Sequence, residues 1–191
     1  MSQLIDNLRA MRGVWHDHLT AYAPDGSPVG DDPYGGVPGP FPYDNLVYID
    51  FDGVDYFQTN VTFAGRPKHV RSFHARVTDG VLRFDKLGPE APSHVGVSGG
   101  PGVIWYLPEQ VDDAWQRYSE PDHIRLLGAD QRTRVTVLYR GGRLVRTMTV
   151  AGTRISTDPT RRVALDPRGA DGPVHDEHSV TYVFSSKERE Q

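Results

Sequence analysis

Residues Thr133–Ser156 read TRVTVLYRGGRLVRTMTVAGTRIS, two alternating runs separated by a Gly-Gly pair. Alternation with a period of two is typical of a β-strand that buries one of its faces. Glycine tolerates the positive φ angles that tight hairpin turns require, so the glycine pair predicts such a turn. The segment therefore predicts two antiparallel strands, Thr133–Arg140 and Arg143–Ser156, joined as a hairpin.

The same pattern extends over most of the chain. Asp-Gly pairs at 52–53 and 79–80 predict two further tight hairpins. Ten more strands are predicted: Gly13–Tyr22, Asn45–Asp52, Asp55–Phe63, Lys68–Thr78, Val81–Leu87, Ser93–Val97, Gly102–Leu107, Ala114–Glu120, His123–Leu127 and His178–Phe184. A meander of this many strands loses its exposed edges by closing. The sequence thus predicts an all-β, antiparallel up-and-down barrel that can hold one small ligand.

Three segments depart from the strand pattern. Ser2–Met11 has a capping serine and apolar residues at helical spacing, which predicts a short helix packed under the barrel. Residues 23–44 are rich in Pro and Gly and carry Tyr43 among their aromatics, which favours a lid, or else a surface insertion. Residues 186–191 are expected to be a frayed tail. No domain linker is evident, so residues 1–191 are expected to form one domain.

Composition limits the partners of the chain. Its 191 residues carry a formal net charge of −4 and no cysteine. The charge argues against a nucleic-acid partner, and the missing cysteines exclude disulfides, thiolate metal sites and a cysteine nucleophile. No apolar run approaches the roughly 20 residues of a membrane helix, and the first residues do not read as a signal peptide. We therefore expect a cytoplasmic protein with no membrane partner.

The start of the first predicted strand carries a family likeness. The tripeptide Gly13-Val14-Trp15 resembles the Gly-x-Trp signature of lipocalins and related calycins. This resemblance implies a lipocalin-like (calycin) barrel in which the tryptophan plugs the closed end. It also implies that an arginine from late in the chain, either Arg134 or Arg154, packs across the indole as a cation–π contact.

Other segments are similar to uncharacterised bacterial lipocalin-like proteins. The likeness lies in Phe57–Asn60, Gly80–Phe84, Arg132–Arg134 and Gly141–Leu144. Those proteins are distantly similar to the barrel lyases that attach bilins and to lipocalin-like cyclases of natural-product pathways. The resemblance implies that a hydrophobic small molecule is bound inside the barrel.

The strand Asp55–Phe63 offers two alternative linings for the barrel. One face carries Tyr56, Gln58 and Asn60, and the other carries Phe57 and Val61. If the polar face points inward, Gln58 and Asn60 are ligand-binding groups and Tyr56 can donate to a developing oxyanion. The alternation alone leaves the choice open.

Two charged residues on other strands are candidates for chemistry. His74 is a candidate general acid or base because imidazole titrates near neutral pH, the alternative being a surface histidine. Arg146 lies in an otherwise apolar stripe, which indicates an inward charge that binds a carboxylate or enolate. The alternative is an arginine extended to solvent at the rim. Tyr139 on the preceding strand is a candidate neighbour of Arg146.

Aromatic and histidine residues complete the candidates. Trp105 is predicted either to form part of an apolar wall for a flat ligand or simply to belong to the core. His16 and His18 share one side of the first strand, as metal ligands would. If Trp15 points inward, however, both imidazoles face solvent, and we expect no metal site.

Two functions are compatible with these features. The first is a cofactor-independent enzyme of secondary metabolism that promotes cyclisation, isomerisation or a related rearrangement of a hydrophobic substrate. Its catalytic residues are Tyr56, His74 and Arg146, and its ligand-binding residues are Gln58, Asn60, Trp105, Tyr139 and Tyr43. The alternative is a non-catalytic carrier or sensor of a hydrophobic ligand. The sequence leaves open whether the chain forms a homodimer.

Overall fold

The computed structural model describes residues 2–32, 39–63, 69–86, 93–109 and 118–161. Helix α1 (Gln3–Met11) is followed by thirteen strands in these ranges. They are β1 (Gly13–Tyr22), β2 (Asp31–Asp32), β3 (Gly39–Pro40), β4 (Tyr43–Phe51), β5 (Asp55–Phe63), β6 (His69–Thr78), β7 (Val81–Phe84), β8 (His94–Gly100), β9 (Val103–Pro108), β10 (Tyr118–Ser119), β11 (Asp122–Leu126), β12 (Gln131–Arg140) and β13 (Arg143–Ser156).

Ten of these strands form a closed antiparallel barrel. The order around it is β1, β4, β5, β6, β7, β8, β9, β11, β12 and β13, and β13 pairs with both β12 and β1 to close the ring. Strand β10 extends the pairing of β12, while β2 and β3 form a separate hairpin. The predicted all-β barrel with a short N-terminal helix is confirmed.

The hairpin turns use the residues that the sequence indicated. Asp79 and Gly80 have φ of 53° and 77°, and Gly141 and Gly142 have φ of 55° and 70°. Strands β1, β5 and β13 have the predicted bounds. Strands β2 and β3 were not predicted because each has only two residues and the segment around them is rich in Pro and Gly. The predicted strand His178–Phe184 and most of the predicted strand Ala114–Glu120 lie outside the described residues.

Helix α1 closes one end of the barrel, here called the helix end; the opposite end is called the far end. Leu4, Leu8 and Met11 are buried against the interior. They pack with inward side chains of the strands: Trp15, Val47, Ile49, Phe51, Ala75, Leu82, Ile104 and Ile124. The apolar core therefore fills the half of the barrel nearest to the helix. In the described part of the chain, this helix is too short to reach across a membrane.

Candidate ligand-binding site inside the barrel

The polar face of β5 points into the barrel. Tyr56 is 1% exposed and belongs to the same interior cluster as Ala75, which is its cross-strand partner on β6. Because alternate residues of a strand share a face, Gln58 and Asn60 also point inward. Both faces of β5 are largely buried, so burial does not distinguish the inner face from the outer one. The register of β5 with β4 and β6 does.

The inward side chains of β5 form a directed row of hydrogen bonds, here called the polar row. The Tyr56 hydroxyl donates to Oε1 of Gln58 at 2.5 Å, and Nε2 of Gln58 donates to Oδ1 of Asn60 at 2.8 Å. Burial, together with the neighbouring Tyr106 hydroxyl, raises the pKa of Tyr56 well above its ordinary value. The phenol therefore stays protonated and acts as the donor that starts the row.

Aromatic rings lie at the base of the polar row. The ring of Phe84 contacts Tyr56 edge-on at a centroid distance of 6.0 Å and Tyr106 at 5.2 Å. Gly96 gives Tyr106 its space, because a Cβ at that position would lie 2.9 Å from the tyrosine ring. These three rings lie between the apolar core of the helix end and the amides of Gln58 and Asn60.

Exposure of inward residues changes along the barrel axis. At the helix end they are almost fully buried, as Trp15 is at 0%. At the far end several inward positions are only partly buried: Asn60, Arg71, Phe73, His94 and Asp122. Side chains that point inward and still contact solvent line a space that solvent reaches. This lumen at the far end is the candidate site.

Trp15 plugs the helix end between two arginines. Its Nε1 donates to the Met11 carbonyl at 2.8 Å, and the guanidinium carbons of Arg132 and Arg154 lie 4.5 and 4.6 Å from the ring centroid. Arg154 was one of the two candidates for the single arginine that the family resemblance implies. Arg132, which was not a candidate, covers the indole as well, whereas the other candidate, Arg134, pairs with Asp122.

Arg132 also forms a buried ion pair. Its Nε and Nη2 donate to the Asp17 carboxylate at 3.1 and 2.7 Å, and both side chains are 2% exposed. Asp17 alternates with outward His16 and His18, so the same parity that turns Trp15 inward also turns this carboxylate inward. This pair lies directly above the indole plug.

Arg134 instead pairs with Asp122 higher in the barrel. Its Nε donates to Asp122 at 3.0 Å, Nη2 reaches the second carboxylate oxygen, and the Thr136 hydroxyl donates to the same group. Burial raises the pKa of the Asp122 carboxyl, which Arg134 and Thr136 only partly offset. Burial alone would lower the pKa of the Arg134 guanidinium, but the neighbouring Asp122 charge raises this pKa above its ordinary value.

Arg146 lies inside the barrel under the Pro/Gly-rich loop. It is 5% exposed, its Nη2 lies 3.4 Å from Oε1 of Glu120, and its guanidinium lies 5.8 Å from the centroid of the Phe41 ring. The Tyr43 hydroxyl contacts the Met148 sulfur at 3.8 Å, next to Arg146 on the inner face of β13. Phe41 and Tyr43 therefore cover this side of the far end.

Two of the candidate residues lie outside the barrel. His74 alternates with inward Ala75, and its ring nitrogens contact Asp55 at 3.2 Å and Asp85 at 2.7 Å on the outer face. Trp105 is 42% exposed and stacks on His123 at a centroid distance of 4.2 Å. Neither side chain reaches the lumen, so their proposed roles in catalysis and ligand binding do not fit this geometry.

The remaining candidates are on the outer surface or at a bulge. Tyr139 lies at an irregularity of the β12–β13 pairing, where its cross-strand partner is Leu144, and it alternates with inward Leu138. His16 and His18 face outward, and both contact the Asp44 carboxylate, at 3.4 and 2.7 Å. No group of three or more His, Asp or Glu side chains among the described residues is arranged to hold a metal ion.

Sequence reasoning missed several residues that line the lumen. Arg71, His94, Asp122 and Tyr106 all occupy inward positions at or near the far end. The available signal was cross-strand register: once Asn60 points inward, its partner Arg71 must do so too. Register across strands of different hairpins is not encoded in the alternation of either strand.

Comparison with known proteins supports the fold. No protein family model matches the sequence, and no curated protein matches it. One similar structure is that of a protein of unknown function from the DUF3598 family of Nostoc punctiforme. The two share 17% identity with a TM-score of 0.59; the match covers 78% of this chain but only 49% of the other.

A second similar structure is an S-type phycobiliprotein lyase from Guillardia theta. Here the identity is 8% and the TM-score 0.57, over 81% of this chain and 93% of the lyase. Both are lipocalin-like barrels. At these identities the likeness concerns the fold alone: this chain is built as a lipocalin-like barrel.

Proposed function

We propose that this protein binds one small molecule in the lumen at the far end of the barrel. The observation that carries the proposal is the change of exposure along the axis. Inward side chains are sealed at the helix end, while Asn60, Arg71, Phe73 and Asp122 face inward and remain partly accessible. A concave, partly apolar space with a few placed polar groups is the usual form of a small-molecule site.

The lining favours an amphipathic ligand over a wholly apolar one. The aromatic rings of Tyr56, Phe84 and Tyr106 give an apolar base. The amides of Gln58 and Asn60 stand above it. A ligand that places hydrocarbon on the rings and polar groups on the amides satisfies both parts of the wall. A phycobiliprotein lyase shares this fold, and that likeness is consistent with a small-molecule site in the barrel.

Binding without chemical change is the function that this geometry supports best. Of the three residues expected to act in catalysis, Tyr56 and Arg146 face the interior while His74 is outside. The Tyr56 hydroxyl is already engaged with Gln58, and the pKa of its phenol is raised by burial. A carrier or sensor therefore ranks ahead of the cyclase or isomerase.

The test is saturation binding of a neutral fluorophore, aminoanthracene, to three proteins. Thr62 faces the lumen two residues beyond Asn60, whereas Thr153 is exposed on the outer face of β13. We expect Thr62→Phe to fill the lumen and weaken binding by about tenfold or more, a loss of roughly 1.4 kcal/mol. Thr153→Phe should bind like the unmodified protein. Absence of saturable binding, or equal affinity in both variants, would overturn the proposal.

A further inference from the structure

The wall formed by β5 and β6 contains an arginine, Arg71, for which no carboxylate partner is found among the residues that the structure describes. Asn60 and Arg71 are direct cross-strand partners, and the pairing of β5 with β6 shows no register shift. Directly paired residues point to the same side of a sheet and their Cβ atoms lie about 5 Å apart. Because Asn60 belongs to the inward polar row, Arg71 points into the lumen beside it.

The other inward arginines near the barrel axis have carboxylate partners. Arg132 pairs with Asp17, Arg134 with Asp122, and Arg146 with Glu120. Arg71 differs from them: in the described ranges its recorded contact is with the ring of Phe73, 5.1 Å from the guanidinium carbon. A ring beneath a guanidinium holds its plane in position and leaves its N–H edge free to bind an anion.

The direction of the polar row adds a second donor at the same place. A protonated Tyr56 donates to the oxygen of Gln58, so the Gln58 amide nitrogen must face Asn60. Asn60 then accepts with its oxygen and directs its own amide nitrogen away from the row. That NH₂ group has no hydrogen-bond partner among the described residues, and Arg71 is the direct cross-strand neighbour of Asn60.

We propose that Arg71 and Asn60 form a carboxylate subsite in the lumen. The guanidinium supplies the charge, the Asn60 amide supplies a neutral N–H donor, and Tyr56 fixes the direction of that donor through Gln58. The ligand class is an amphipathic carboxylic acid whose hydrocarbon part lies on the aromatic base. A guanidinium and an amide together match the planar, multiply accepting carboxylate. The inference rests on the proposed function and specifies its ligand.

The experiment compares dansylaminoundecanoic acid with its methyl ester at neutral pH. The two probes share the hydrocarbon and the fluorophore and differ in the charged group. We expect the unmodified protein to bind the acid about tenfold more tightly than the ester, the range of one charge-assisted contact. Arg71→Met should lower the affinity for the acid to that for the ester and leave ester binding unchanged.

Three further variants separate the parts of the subsite. Asn60→Asp replaces the amide donor by a carboxylate of the protein, which takes the place beside Arg71 that the carboxylate of the probe would occupy. We therefore expect this variant to abolish the preference for the acid. Tyr56→Phe removes the group that orients the row and should reduce this preference without removing ester binding. Arg76→Met is the matched control, because Arg76 lies on the same strand but is 62% exposed on the outer face.

The outcomes are distinguishable. Ester binding with no preference for the acid, or a preference that survives Arg71→Met, overturns the subsite and leaves the lumen as a binding site. If neither probe nor aminoanthracene binds, the proposed function fails and the subsite with it. If Arg71→Met alone loses the binding of both probes, the variant is misfolded, and circular dichroism detects this. The comparison is then repeated with Arg71→Lys, which keeps the positive charge but lacks the forked guanidinium.

Discussion

At the scale of single residues, the buried pair of Asp17 and Arg132 depends on the absence of a side chain at Gly152. A Cβ there would lie 2.8 Å from Cγ and 3.0 Å from Nε of Arg132, and closer still to the Asp17 carboxylate. Neither partner can move easily because the pair is buried above Trp15. The glycine is therefore required by a close approach between strands.

We expect Gly152→Ala to lower the free energy of unfolding by about 1–3 kcal/mol, the cost of overpacking a rigid interior. Urea denaturation monitored by circular dichroism measures this loss. Gly128→Ala is the control, since a Cβ at Gly128 meets no atom within 4 Å. Equal stability of the two variants would show that the ion pair rearranges without cost.

Tyr56 makes a prediction about alkaline pH. Its pKa is raised in the folded protein, chiefly by burial, whereas in the unfolded chain it titrates near 10.0. The stability that this phenol contributes is fully present below pH 10 and is lost as the pH rises further, because only the unfolded chain then ionises it.

Urea unfolding at about pH 9 and about pH 11 tests this expectation. The unmodified protein should lose more stability between the two values than Tyr56→Phe does. Tyr22→Phe, which alters an exposed tyrosine, should follow the unmodified protein. Identical pH dependence in all three proteins would mean that Tyr56 ionises freely in the folded state.

The sequence could predict which residues of a strand share one face of the sheet. Alternation correctly grouped Tyr56, Gln58 and Asn60 on one face, yet it could not choose the face, because β5 is buried on both sides. His74 differs, because on β6 it shares its face with the exposed Ser72 and Arg76, so alternation favoured the surface alternative. The inward position of Asp17 was available from the parity of Trp15 and was overlooked beside the two histidines that flank it.

At the scale of elements, a buried side chain of α1, that of Asn7, binds the helix to the barrel. Nδ2 of Asn7 donates to the carbonyls of Gly100 and Val103, each at 2.8 Å, and its Oδ1 accepts from the Gly102 amide at 2.9 Å. Asn7 is 2% exposed, and the three residues whose backbone groups it binds are partly buried. The helix is thereby tied to the turn between β8 and β9.

Asn7→Ala should destabilise the fold by about 1–3 kcal/mol, since it removes the side-chain partner of the partly buried Gly102 amide and Val103 carbonyl. Hydrogen exchange of the Gly102 amide should accelerate more than the loss of global stability explains. Gln3→Ala removes a residue whose side chain donates to Asn7 but does not itself reach the strands, and it should have a small effect. Unchanged exchange at Gly102 in Asn7→Ala would contradict this role.

Strands were predictable where the alternation of apolar and polar residues was long and ended in turn residues. Strands β1, β5 and β13 were located to the residue by alternation and by their turns. The hairpin of β2 and β3 was not predicted, because each of its strands has only two residues and the segment is rich in Pro and Gly. Short pairings of this kind depend on tertiary contacts rather than on local preference.

At the scale of the whole molecule, closure was predictable and its internal layering was not. Many short strands with tight turns predict a barrel because closure removes free edges. The layers along the axis arise from register across the ring: the apolar core, the Trp15 plug with its arginines, the aromatic base and the polar lumen. They bring together residues that are distant in sequence, such as positions 17 and 132.

The pairing of β1 with β13 also has a consequence for biosynthesis. Val14 of β1 pairs with Ser156 of β13, so this pairing cannot form until nearly all of the described chain has left the ribosome. Until then, the edge of β1 that faces β13 has no hydrogen-bond partner, and the Trp15 indole lacks its covering arginines. Contacts so distant in sequence form slowly, and unpaired strand edges invite association. Nascent chains that stop before β13 should therefore be the forms of this protein that chaperones retain.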